Sequence, residues 1–138
     1  MRYLLLLLIL CSGCLRPDPV PVDPKPPVPV VDPVVTDGKL KVLILFEADE
    51  LPGLPTEQLL AIQGPEVRDW LTLHNADWRI WDQHIDTKFA DKFWQDAVKL
   101  PRDSLPWIWV TGGTGKGVKG PLPKSASEII ALLERQSK

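Results

Sequence analysis

Imidazoles and thiols, the groups most often used for acid–base and nucleophilic chemistry near neutral pH, are few in this chain of 138 residues. There are two histidines, His74 and His84, and two cysteines, Cys11 and Cys14. Asp82 stands two positions before His84, just past a short segment that reads as a strand. Carboxyl ends of strands are where α/β sheets carry their sites. No nucleophile adjoins this pair in sequence, and Ser104 is the hydroxyl that folding could bring to it. A hydrolase-like enzyme using Asp82, His84 and Ser104 is therefore one reading, because such a triad is defined by geometry and not by spacing.

Other constellations are weaker. His74 and His84 lack the i, i+4 spacing of a helical zinc pair, and His74 falls near a helix end, where the dipole favours a cation. Glu47, Asp49 and Glu50 offer oxygen ligands to a hard cation, but three carboxylates without a defined loop pattern read better as solvated charge. The run from Gly112 to Gly117, Gly-Gly-Thr-Gly-Lys-Gly, fails as a phosphate loop. Val110 stands where the first Gly belongs and Gly117 where the hydroxyl residue belongs, and the run joins strand to strand. No metal and no cofactor are expected. A formal charge of −2 gives no nucleic-acid footprint.

Cys14 is the most telling cysteine. Before it come Met1-Arg2-Tyr3, an unbroken apolar run from Leu4 to Leu10, and Cys11-Ser12-Gly13. A basic start, a short apolar stretch and small residues before a cut describe a secretory signal peptide over 1–13. An uncleaved anchor is the alternative, although a membrane span needs about 20 apolar residues. With Cys immediately after the cut between Gly13 and Cys14, the segment resembles the lipobox of bacterial lipoproteins, departing from it where Cys11 replaces the usual Leu. The resemblance implies lipidation of Cys14, palmitate-type acylation of the new amino terminus, and attachment to a membrane of the bacterial cell envelope, facing away from the cytoplasm. It leaves inner and outer membrane both open. Cys11 departs with the signal, so the mature chain has no thiol free for a disulfide.

The stretch 16–36 has Pro at eight of its 21 positions. That density forbids helix and interior strand and pushes the residues before each Pro to extended conformations. With the lipidated Cys, 14–36 reads as an extended stalk. At about 3.1 Å per residue it holds a domain on the order of 60 Å from the bilayer. A ligand for a proline-recognising module is the alternative.

The segment 37–138 reads as one folded domain. Lys39 to Phe46 turns continuously apolar, as a central strand buried on both faces does. A Pro- and Gly-rich loop covers 47–55. Thr56 opens a helix, Gly64-Pro65 interrupts it, and Pro65 restarts it towards His74. Trp78 to Asp82 is a strand. Asp86 or Thr87 opens a helix carrying Phe89, Phe93, Trp94, Ala97 and Val98. Trp107 to Thr111 and Val118 to Leu122 form a hairpin. Ser125 and Glu128 make a capping box for a last amphipathic helix. All six Trp lie between Trp70 and Trp109 and belong mostly to packing.

The order β-α-β-α-β-β-α, with Ser104-Leu105-Pro106-Trp107 placing a Pro just before the third strand, resembles the thioredoxin-like fold over roughly 39–136. The fold class expected is α/β, with a four-stranded mixed sheet flanked by helices. The resemblance implies a cis Pro106 lining a groove, with Leu105 and Trp107 beside it, facing the loop from Leu51 to Leu54. It also implies a Cys-x-x-Cys pair after the first strand, but Glu50-Leu51-Pro52-Gly53-Leu54 stands there and no Cys follows Cys14. Thiol–disulfide exchange needs an attacking thiolate and a resolving thiol, and the domain has neither. The reading is a lipid-anchored, redox-inactive module for binding or structure. Its partners are the membrane and a protein or peptide of the envelope, held at Leu51, Leu54, Leu105, Pro106 and Trp107.

Overall fold

The computed structural model describes residues 30–112 and 117–138. The signal segment, Cys14 and most of the stalk lie outside them, as does the tip of the Gly-rich connection. The first strand, β1 (Lys41–Phe46), has Val42, Leu43, Ile44 and Leu45 fully buried. Side chains alternate along a strand, so Val42 and Ile44 enter one core while Leu43 and Leu45 enter another. This is why the sequence is continuously apolar: both faces are covered.

A 3-10 turn, Ala48–Gly53, replaces the expected irregular loop. Next come α1 (Thr56–Gln63) and α2 (Pro65–Leu73), parted at Gly64 with Pro65 opening the second. Pro suits a first helical position because its missing N–H has no partner there anyway. β2 (Asp77–Asp82) runs parallel to β1. After α3 (Lys92–Ala97), β3 (Trp107–Thr111) and β4 (Val118–Pro121) form the hairpin, and α4 (Ala126–Gln136) closes the chain. The strand order is β2-β1-β3-β4, and β3 runs against its neighbours β1 and β4. The domain is α/β, a four-stranded mixed open sheet between helices. The Leu105–Pro106 peptide bond is cis.

One core joins Val42, Ile44, Ile108 and Val110 of the sheet to Ile62, Val67, Leu71, Ile129 and Leu133 of α1, α2 and α4. The other sets Leu43, Leu45, Trp107 and Trp109 against Trp94 and Ala97 of α3. The Phe93 ring lies 5.0 Å from Trp94 and 5.6 Å from Trp109, centre to centre. Such pairs add about 0.5–1.5 kcal/mol to the area that they bury.

Two local expectations need correction. The third helix starts at Lys92 and not at Asp86 or Thr87, and Phe89 is 90% exposed. Asp86 accepts from the Lys88 N–H, Ala90 N–H donates to Thr87, and Asp91 is extended, so turn bonds use the backbone groups that a helix needs. At α4, Ser125 Oγ accepts from Glu128 N–H, but the Glu128 carboxylate reaches the N–H of Lys124, one residue earlier than a capping box requires.

Candidate functional site

Register brings the carboxyl ends of β1 and β2 together, with Phe46 opposite Asp82. One further bond, Gln83 N–H to Phe46 carbonyl at 2.8 Å, carries the pairing past the strands. Glu47 therefore leaves β1 beside the residues leaving β2. Two backbone donors hold Asp82. Ala48 N–H, at the start of the 3-10 turn, lies 2.7 Å from one carboxylate oxygen, and His84 N–H lies 2.8 Å from the other. The His84 bond first, and then the Ala48 bond, keep the Asp82 carboxyl below its usual value, against a small opposing desolvation.

His84 Nδ1 sits 3.4 Å from Asp82 Oδ1 and 3.5 Å from Glu47 Oε1. The His84 side chain is largely exposed, whereas that of Glu47 is half-buried, its second oxygen accepting from Gln83 Nε2. Two carboxylates therefore converge on one imidazole nitrogen. The ligand atoms of Glu47, Asp82 and His84 lie within 4.8 Å of one another, the spacing of a potential cation site.

An open cleft of about 290 Å³ adjoins this cluster, lined by Glu50, Gln83, Arg102, Asp103, Ser104 and Leu105. Gln83 belongs to both features. Ser104 is exposed in the cleft, and among the described residues no hydrogen bond joins it to His84. Asp82 and His84 thus lie side by side.

The remaining site residues are placed as follows. Leu105 is half-buried at the cleft wall, while Pro106 and Trp107 are buried and do not line the cleft, Trp107 belonging to the α3-side core. Leu51 and Leu54 are half-buried and pack against the opposite core. Gly13 and Cys14 lie outside the described residues. Asp49 and Glu50 sit on the 3-10 turn, so the acidic run does not gather into one cluster and only Glu47 turns towards Asp82. His74 is remote, stacked on Trp70 at 3.8 Å with its Nδ1 2.8 Å from the Trp70 carbonyl.

Glu47 is the member that sequence reasoning grouped wrongly. The signal was available: in a right-handed β-α-β unit the residues just after two parallel neighbours become adjacent. No protein-family model matches the chain, and no curated protein or solved structure matches it either.

Proposed function

We propose that this protein is a lipoprotein of a bacterial cell envelope, tethered through Cys14, whose Pro-rich stalk displays a thioredoxin-like domain that binds a protein or peptide partner and does no redox chemistry. The observation that carries the reading is the strand order β2-β1-β3-β4 with β3 alone reversed, in a domain without a single Cys. That order is the one the thioredoxin-like resemblance implies, and a domain without Cys lacks the reactive atoms of thiol exchange. The binding face proposed is the cleft at Leu105, which the buried Pro106 and Trp107 follow in sequence and which Glu50, on the turn that leads through Leu51 to Leu54, also lines. Arg102, Asp103, Gln83 and Glu50 supply polar groups around it, a mixture suited to an extended peptide.

Intact mass and cell fractionation test the tether. The wild-type chain is expected in the membrane fraction with a mass beginning at acylated Cys14, and Cys14→Ser is expected to lose the added mass. A membrane-bound chain that retains Met1 and an unmodified Cys14 overturns it. For the binding face, a photo-crosslinking residue at Ser104, exposed in the cleft, should yield a discrete adduct in intact cells, and one at Glu134 on α4 should not. Equal labelling from both positions removes the argument for the cleft.

A further inference from the structure

We infer that Glu47, Asp82 and His84 form a binding site for a divalent first-row transition-metal ion, with Zn²⁺ as the ion to test. The donors are mixed, one imidazole nitrogen and two carboxylate oxygens, delivered from the ends of two paired strands. An imidazole in the set favours a borderline ion such as zinc over the hard cations served by oxygen alone.

Spacing separates this arrangement from an ordinary hydrogen-bonded pair. N–H···O bonds cluster at about 2.9–3.0 Å, and His84 Nδ1 stands 3.4 and 3.5 Å from its two carboxylate neighbours. Two ligands of a tetrahedral zinc, each about 2.0–2.1 Å from the metal, are about 3.3–3.4 Å apart. The nitrogen is thus set at the distance of an edge shared through a metal, and to two oxygens at once.

Both carboxylate donors have a partner behind them. The oxygen of Asp82 turned away from the imidazole is fixed by Ala48 N–H, and that of Glu47 by Gln83 Nε2. Partners of this kind orient ligating carboxylates and are worth about 10- to 100-fold in metal affinity. Three protein ligands leave a fourth position open, on the solvent side where His84 is exposed and the neighbouring cleft begins. The inference depends neither on the lipid anchor nor on the partner proposed above.

Titration of the purified full-length chain, carrying Cys11→Ser and Cys14→Ser so that no thiol competes for the ion, with ZnCl2 and followed by calorimetry, tests it. One ion per chain is expected. His84→Ala and Glu47→Gln should each weaken binding by at least about tenfold, and Gln83→Ala by about tenfold. His74→Ala should leave the affinity unchanged. Thermal unfolding of His84→Ala and Gln83→Ala without metal should match the wild type, because His84 and Gln83 lie at the surface end of the sheet and not in either core. Absence of zinc binding to the folded wild-type chain overturns the inference. So does binding that survives His84→Ala, or binding that His74→Ala abolishes.

Discussion

Lys41 is a buried ammonium on a strand face that it shares with Leu43 and Leu45. Asp37 at 2.6 Å and Asp77 at 2.8 Å answer its charge, and the Phe93 ring lies 5.3 Å from it. Burial works against the ammonium, but the two carboxylates outweigh burial and its pKa is raised above 10.5. Its contribution to stability is therefore complete below 10.5 and is lost as the pH rises through the folded value. The carboxyls of Asp37 and Asp82 behave oppositely. The Lys41 bond, then the Lys39 N–H, lower Asp37, and the His84 and Ala48 N–H groups lower Asp82. Their contribution is present above 3.8 and lost as the pH falls through the folded values. The urea midpoint should accordingly stay flat between about pH 5 and pH 9 and fall on either side. Asp82→Asn should make the acid fall shallower, and Lys41→Met should make the alkaline fall shallower. Exchanging both Asp37 and Asp77 for Asn should lower the midpoint at neutral pH more than Lys41→Met, since it leaves a buried charge unpaired.

The elements owe their boundaries to a few close approaches. α1 and α2 meet at Gly64, whose N–H donates to the Leu60 carbonyl at 2.7 Å. A Cβ on Gly64 would fall 2.4 Å from that carbonyl oxygen, which belongs to backbone and cannot swing aside. Arg68 closes the same joint by donating to the carbonyls of Gln63 and Gly64. Gly64→Ala is expected to destabilise the domain by about 1–3 kcal/mol, read as a lower urea midpoint with an unchanged slope. Periodicity and turn residues were enough to find β1, β2, the hairpin and the break at Gly64-Pro65. They misplaced the start of α3, because the Phe89-to-Val98 spacing suits a helix equally well whether or not its first turn forms. The competing bonds at Asp86 and Ala90 decided that, and Phe89 remained in solvent.

At the scale of the molecule, the end of the Pro-rich segment touches the folded part of the chain. Asp32 pairs with Lys119 of β4 at 2.7 Å, and residues 32, 33 and 35 are half-buried. Both charges of the pair are more than a third exposed, and exposed ion pairs contribute about 0–1 kcal/mol. A chain comprising 37–138 alone should therefore fold with a stability within about 1 kcal/mol of the full chain, measured by urea unfolding. A larger loss would move the domain boundary into the stalk.

Length, residue inventory and hydrophobic period by themselves determined that one α/β domain follows a Pro-rich segment, that β1 is buried on both faces, and that no thiol pair exists in the domain. Those conclusions depend on residue type and short-range spacing, which a sequence displays directly. The meeting of Glu47 with Asp82 and His84 is of another kind, since Asp82 lies 35 positions after Glu47 along the chain. Only the parallel register of β1 and β2 sets their ends side by side, and that register comes from long-range burial of both strands between two layers of helices. Burial likewise separated Leu105, at the cleft wall, from Pro106 and Trp107, which are buried, because neighbouring positions in a sequence carry no record of which face the core will cover.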